Sequence, residues 1–218
     1  MASPPAPRLP PPDHPFRLLP HKARVWFRVH KFDATTGAYA PTAFNDSGRG
    51  WGRFSPLTNP STGLPIPTIY AASNENAAIA EIVLHNIPTP STGYLHDLEA
   101  DYAAHLYLSR IRTPELQLVN LTATGLKAAG LAYSDLFAGE DDDYGRTQAW
   151  AQWIWGSLPH AQGLHWMSKR DNRGEVIVLF GDRISTGITD EGDSRPLQVY
   201  EQQIIDLLDE MGAGVALK

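Results

Sequence analysis

Residues 23–30, with the sequence ARVWFRVH, alternate strictly between two kinds of side chain, and this period of two predicts a β-strand. One face carries the apolar residues Val25, Phe27 and Val29, and the other carries Arg24, Trp26, Arg28 and His30. Such a strand is half-buried, so it has to lie in a sheet whose apolar face packs against other elements. The chain must therefore build a sheet around this segment.

Further strands are predicted at residues 68–72, 106–112, 116–121, 165–168 and 175–180, with a short one near 52–54. Helices are predicted from a cap at Ser73 to about Asn86, and at 97–104, 126–132, 144–157 and 196–211. These segments lack the regular strand–helix–strand spacing of a doubly wound sheet. We therefore expect a mixed α+β fold.

A chain of 218 residues suits a single domain. Residues 1–20 hold eight of the eighteen prolines, which indicates an extended N-terminal arm. We expect the domain itself to span 21–218, with an insertion around 87–160 that contains an acidic loop at 139–143 and a tryptophan-rich helix. The tryptophans of that helix are expected to lie in the core.

The composition argues against several classes of protein. A net charge of −6, without any basic stripe, argues against a nucleic-acid-binding protein. The absence of cysteine excludes disulfides, thiolate nucleophiles and thiolate metal sites. No apolar run approaches the length of a membrane span, and the proline-rich start does not resemble a signal peptide. The default expectation is a cytoplasmic protein.

Two arginines are candidate anion contacts. Arg28 has the planar donor pattern that suits phosphate or carboxylate, although on the strand alone an arginine paired with a carboxylate at a sheet edge is the commoner case. Arg53 lies in the segment GRGWGRF, residues 48–54, where glycines at alternate positions allow a close approach of backbone to ligand. A glycine-rich turn without a ligand is the alternative.

Tyr70 and Glu81 are candidates for contact with a ring and with a positive charge. The Tyr70 side chain faces opposite to those of Ile69 and Ala71, so it points to a cleft if these two face the core. Glu81 lies in the alanine-rich helical run AAIAEIVLH, where a carboxylate must be solvated by a cleft or paired with a cation. A surface glutamate is the alternative reading.

Ser168 and the histidines give no signal of their own. Ser168 ends a predicted strand without the Gly-x-Ser-x-Gly pattern of a serine hydrolase. The eight histidines form no His-Glu-x-x-His pattern, so no metal site is expected.

These segments taken in order resemble the RES domain, the toxin half of RES–Xre toxin–antitoxin modules. The resemblance runs from about Ala23 to Arg183 and is carried by Arg28, the sequence Gly52-Arg53-Phe54, Tyr70, Glu81 and Ser168. It implies a fold similar to that of ADP-ribosyltransferases, with mixed and antiparallel sheets flanked by short helices. It also implies consumption of NAD+ as the substrate, without a metal, and inhibition by an Xre-like antitoxin that blocks the site.

The resemblance assigns a role to each matching residue. Catalysis falls to Glu81, Arg28 and Tyr70, and NAD+ binding to Arg28, Gly52, Arg53, Phe54, Tyr70 and Ser168. In this reading Glu81 stabilises the positive charge that develops on the ribose when nicotinamide leaves. The arginines hold the pyrophosphate, Tyr70 stacks on nicotinamide, and Ser168 contacts the nicotinamide amide or the ribose.

The sequence leaves two questions open. The first is the acceptor of ADP-ribose, which is a protein side chain, water or phosphate. For a toxin, growth arrest is the expected outcome. Alternatively, the chain is a non-catalytic module that binds a nucleotide or another protein. We also expect Arg24, Arg28, Arg49 and Arg53 to make the cleft basic, so that an acidic antitoxin segment enters it.

Overall fold

The alternating segment forms the long central strand of the sheet. A computed structural model describes residues 16–33, 35–50, 52–85, 87–88, 91, 93–96, 105–137, 144–184 and 187–216. The strands are β1 (Leu18–His21), β2 (Arg24–Lys31), β3 (Leu57–Thr58), β4 (Pro65–Ile66), β5 (Thr68–Ala72), β6 (Leu95–His96), β7 (Leu106–Thr113), β8 (Leu116–Asn120), β9 (Gly163–Met167), β10 (Glu175–Phe180), β11 (Thr189–Asp190), β12 (Arg195–Pro196) and β13 (Gly214–Val215). The helices are α1 (Glu75–Val83), α2 (Ala123–Ala128), α3 (Tyr133–Phe137), α4 (Tyr144–Ser157) and α5 (Glu201–Glu210), with 3-10 turns at Gly181–Arg183 and Leu197–Tyr200.

Within the described residues, nine strands form one mixed sheet. Its order is β1-β8-β9-β10-β5-β2-β7-β11, and β12 also pairs with β7. The β8–β9 pair is parallel and the other pairs in this sheet are antiparallel. The prediction of a mixed α+β fold is confirmed.

Both faces of the sheet are covered. On one face a large core includes Ala80 of α1, Trp150 of α4 and Leu208 of α5. On the other face Trp26 lies in a smaller core with Ile111, and Phe44 packs against it from a loop. The sequence placed Trp26 on a polar face; that was wrong, because β2 is central and neither of its faces is left to solvent.

Several element boundaries differ from those predicted. The sheet begins at Leu18, inside the segment predicted as an extended arm, because β1 pairs with β8. Helix α1 is capped by Asn74 rather than by Ser73, whose hydroxyl instead accepts a hydrogen bond from the amide of Glu175. The C-terminal helix begins at Glu201, after a 3-10 turn. The predicted helix at 97–104, the acidic loop at 139–143 and residues 1–15 of the arm lie outside the described residues.

The sheet is open between two of its central strands. Among the described residues, β2 and β5 pair at a single position, Phe27 with Ala72. Beyond that pair Asn45 bridges to β5, because its amide donates to the Thr68 carbonyl at 2.8 Å and its carbonyl accepts from the Thr68 amide at 3.1 Å. We call this opening the β2–β5 gap; it leaves room for a cavity between the two strands.

No described helix combines the length and hydrophobicity that crossing a bilayer requires.

Candidate active site

A cavity of about 570 Å³ lies at the β2–β5 gap. Residues of β2, β5 and α1 form most of its walls. The rest comes from residues 52–53, His85, His105, the first residue of α4 and one residue each of β7, β9 and β10. This volume is typical of a site for a small ligand or cofactor. The structure thus brings together five of the residues predicted for the site, which are Arg28, Gly52, Arg53, Tyr70 and Glu81.

Glu81 is held in a fixed position at this cavity. The Ser168 hydroxyl donates a hydrogen bond to Oε1 of Glu81 at 2.7 Å, and the Lys169 amide donates to the same oxygen at 3.0 Å. Helix α1 approaches the sheet closely because Ala77 and Ala80 are fully buried small residues on its inner side. The result is an oriented carboxylate at the wall of the cavity.

Ser168 acts on Glu81 from behind the cavity wall. Its side chain is buried, and its oxygen also accepts hydrogen bonds from the amides of Arg170 at 3.2 Å and Asp171 at 2.9 Å. A hydroxyl has one donor and two acceptor positions, so these three contacts use its full capacity. The Ser168 hydroxyl therefore has no donor left for the predicted contact with the substrate. The sequence could not reveal this, because Ser168 and Glu81 are 87 positions apart.

Tyr70 supports the turn at residues 52–55. Its hydroxyl accepts a hydrogen bond from the Phe54 amide at 3.1 Å and donates to Oγ of Ser55 at 3.1 Å. Burial raises the pKa of Tyr70 to about 12, so the phenol stays protonated. A Cβ atom at Gly52 would lie 3.2 Å from the Tyr70 hydroxyl oxygen and 3.0 Å from Oγ of Ser55, which explains the glycine.

Phe54 and Arg53 point in different directions from this turn. Phe54 is fully buried, with its ring centroid 4.8 Å from that of Trp166, so it anchors the turn rather than lining the cavity. Arg53 lines the cavity, and its guanidinium lies 5.3 Å from the ring centroid of Tyr144 and 5.8 Å from that of Phe137. These cation–π contacts keep the charge at the wall.

Arg28 reaches the cavity at the β2–β5 gap. Its Nη1 donates to the carbonyl of Pro41 at 2.6 Å and to that of Ala43 at 2.9 Å, which fixes the segment leading to Asn45. Burial lowers the pKa of Arg28 to about 10, so the guanidinium remains charged at neutral pH. Arg28 therefore supplies positive charge and also holds the segment that leads to Asn45.

The basic lining differs from the predicted one. Arg24 pairs with Glu175 at 2.7 Å and lies over the Trp26 ring, and neither it nor Arg49 lines the cavity. Lys31, which the sequence did not single out, joins Arg28 and Arg53 there. The error arose because Arg24 and Arg28 lie on the same face of the same strand, but only Arg28 lies beside the gap.

The cavity favours an anionic ligand. Its described lining contains three lysine or arginine side chains, and Glu81 is the one carboxylate among the described residues that line it. Aromatic rings from Tyr70, Tyr144 and Trp166 form further parts of the wall. Positive side chains attract phosphate groups and aromatic rings can stack on a base, while the single carboxylate can stabilise a local positive charge.

Comparisons with known proteins identify the family and the fold. The family model described as RES domain matches residues 25–199. A chain in the crystal structure of the M. tuberculosis MbcT–MbcA toxin–antitoxin complex is 19% identical, with a TM-score of 0.56, and the alignment covers 83% of this chain and 88% of that one. At this identity the likeness concerns the fold. No curated protein sequence matches the chain. The match over residues 25–199 includes every element that lines the cavity, and the chain belongs to the RES domain family.

Proposed function

We propose that this protein is the toxin of a toxin–antitoxin pair and that it cleaves the nicotinamide–ribose bond of NAD+. The observation that carries the proposal is the Glu81 carboxylate, which Ser168 and the Lys169 amide hold at the wall of a basic, aromatic cavity. Membership of the RES domain family supports the same substrate. The ADP-ribose that remains is transferred to an acceptor.

The chemistry requires a negative charge beside the ribose. When the C–N bond breaks, its electron pair stays on the nicotinamide nitrogen, which becomes neutral, and positive charge develops on the ribose. Nicotinamide therefore leaves without a general acid. The Glu81 carboxylate stabilises the developing charge, and it is already oriented, so no reorganisation is needed. The acceptor then adds to the anomeric carbon and loses a proton.

The remaining residues of the wall bind the substrate. Arg28 and Arg53 hold the pyrophosphate, with Lys31 as a further positive charge. The ring of Tyr70 stacks on nicotinamide. Ser168 contributes through Glu81 rather than through a contact with NAD+.

The partner is an antitoxin of the Xre-like type that blocks the cavity. The solved structure with a similar fold is a toxin–antitoxin complex, which supports a protein partner here. The basic lining formed by Arg28, Lys31 and Arg53 suits an acidic segment of that partner. Such binding competes with NAD+, so each of the two ligands weakens the binding of the other.

The test is to incubate the protein with adenine-labelled NAD+, with and without lysate, and to measure free nicotinamide and the fate of the label. Label in free ADP-ribose identifies water as the acceptor, label in a phosphorylated ADP-ribose identifies phosphate, and label on a protein band identifies protein transfer. A rise in melting temperature with NAD+ but no nicotinamide release would show a binding module instead. Strong expression of soluble protein that leaves bacterial growth unaffected would refute the toxin role.

A further inference from the structure

One side chain of helix α4, Gln148, holds both ends of the turn at residues 52–55. Its Nε2 donates a hydrogen bond to the carbonyl oxygen of Gly52 at 2.9 Å and another to that of Ser55 at 2.7 Å. A side-chain amide carries two N–H donors, and both are used here. Because both partners are carbonyl oxygens, neither a carboxylate nor an apolar side chain can replace this contact.

These two carbonyls close the turn that carries Arg53. The Gly52 amide donates to the Ser55 carbonyl at 3.0 Å, and the Ser55 amide donates to the Gly52 carbonyl at 3.4 Å. On the same helix, the Thr147 hydroxyl donates to the carbonyl of Arg53 itself. The backbone on both sides of Arg53 is therefore fixed from α4, which sets the direction in which Arg53 enters the cavity.

We propose that Gln148 is a positioning residue that sets the affinity for the anionic part of the substrate by orienting Arg53. The inference rests on the proposed function, since it takes NAD+ as the substrate whose pyrophosphate Arg53 holds. Gln148 itself does not line the cavity. Its effect is therefore on substrate binding, and the chemical step at Glu81 is left in place.

The same helix offers a matched control. Gln152 lies one turn further along α4, and its Oε1 accepts a hydrogen bond from the Thr58 amide at 3.0 Å. Thr58 belongs to β3 and does not line the cavity. Gln152→Leu removes one hydrogen bond between α4 and a neighbouring segment and does not touch the Arg53 turn, whereas Gln148→Leu removes two hydrogen bonds.

The first experiment compares Gln148→Leu with Gln152→Leu in the full chain. We expect Gln148→Leu to raise the KM for NAD+ about tenfold and to leave kcat within about threefold, because a binding contact is misplaced. Hydrogen exchange at the amides of Gly52 and Ser55 should become faster in this variant alone. Wild-type KM and exchange in Gln148→Leu, or equal changes in Gln152→Leu, would overturn the proposal.

A second variant separates positioning from folding. In Gln148→Glu a carboxylate faces two carbonyl oxygens, and protonation replaces that repulsion with one O–H donor. We expect its KM, relative to the wild type, to fall as the pH is lowered from about 8 to about 5.5, since repulsion raises the pKa of the new carboxyl. A KM ratio that does not change with pH contradicts the proposal. If the wild type releases no nicotinamide, the proposed function fails, and hydrogen exchange at Gly52 and Ser55 still decides whether Gln148 holds the turn.

Discussion

Glu81 is the residue on which the proposed chemistry depends most directly. We expect Glu81→Gln to fold normally, because the amide oxygen can still accept the hydrogen bonds from Ser168 and Lys169. Nicotinamide release should fall by about two orders of magnitude or more, since the lost charge contributes on the order of 3 kcal/mol in the transition state. A nicotinamide assay on protein whose circular dichroism matches the wild type measures this.

Glu75→Gln is the control for that variant, since it makes the same substitution in the first turn of the same helix. It should retain nearly full turnover, with only a small loss of helix stability from the weaker interaction with the helix dipole. Turnover near the wild-type rate in folded Glu81→Gln would remove Glu81 from the mechanism.

Arg28 combines a charge with a structural contact, so the conservative change Arg28→Lys should be harmful. A lysine keeps the charge, but its side chain is one atom too short to reach the position of Nη1, which now donates to both the Pro41 and the Ala43 carbonyls, and it lacks the guanidinium's remaining N–H donors for a phosphate. We expect the KM for NAD+ to rise by about tenfold and the melting temperature to fall by a few degrees. Kinetics and a thermal melt measure the two effects, and unchanged values in both would show that Arg28 supplies only a general positive charge.

At the residue scale, local sequence was informative where a side chain is unusual in its own segment. Glu81 in an alanine-rich helix and Tyr70 on a strand were both identified as cleft residues, and both line the cavity. The contact of Ser168 with Glu81 and those of Gln148 with the turn were not predicted, because in each case the partner is distant in sequence. A hydrogen bond between distant segments leaves no local pattern.

At the scale of elements, the position of α1 against the sheet depends on a glycine. A Cβ atom at Gly174 would lie 2.3 Å from the Cβ of Ala77 and 3.0 Å from Nδ2 of Asn74, the cap of α1. We expect Gly174→Ala to displace the helix start and to cost about 1–3 kcal/mol of unfolding free energy. Chemical denaturation measures this loss, and nicotinamide release should fall with it because Glu81 lies on the same helix.

Gly156→Ala is the matched control for Gly174→Ala. Gly156 lies in α4 with open space where its Cβ atom would be, so alanine should be neutral or should stabilise the helix by up to about 1 kcal/mol. If Gly174→Ala is as harmless as Gly156→Ala, then α1 does not depend on this close approach.

The existence and type of most elements could be predicted, but their partners could not. The tryptophan-rich segment was predicted as a helix with its tryptophans in the core. Trp150 is fully buried there, whereas Trp153 and Trp155 are only partly buried against it. The same helix also holds the Arg53 turn through Gln148, and no periodicity indicates that contact. Apolar periodicity reports which side of a helix is buried, but not which segment lies against it.

At the scale of the whole molecule, stability should depend on pH through two buried histidines. Burial, with a further contribution from Arg28, lowers the pKa of His30 to about 4, and burial together with His21 lowers that of His165 to about 4. Both rings are neutral in the folded protein, whereas the unfolded chain takes up protons below about pH 6.5. Unfolding is therefore favoured as the pH falls from about 6.5 to 4, by on the order of 2 kcal/mol per histidine.

Denaturant titrations across this pH range test the prediction by comparing the variants His165→Phe and His160→Phe with the wild type. Neither ring nitrogen of His165 has a hydrogen-bond partner among the described residues, so His165→Phe should remove roughly half of the acid-dependent loss. His160 is exposed, and His160→Phe should leave the loss unchanged. An unchanged pH dependence in His165→Phe would show that this histidine does not contribute.

The fold class was predictable, whereas the sheet order was not. Strands and short helices without regular spacing indicated a mixed α+β fold, which the sheet confirms. The order places β8 and β9 next to each other although residues 121–162 separate them in the chain, and β5 lies between β10 and β2. Such pairings depend on packing between distant segments, which local propensity does not encode.

The β2–β5 gap also determines when this protein can acquire its cavity during synthesis. During translation, β2, β5 and Glu81 are synthesised before β10, the strand that pairs with β5 along its length and ends at Phe180. The hydroxyl that fixes Glu81 belongs to Ser168, which is likewise synthesised after Glu81. A nascent chain that has exposed Arg28, Tyr70 and Glu81 therefore has neither a completed wall nor an oriented carboxylate. Any activity of the cavity therefore begins only after β10 has been synthesised.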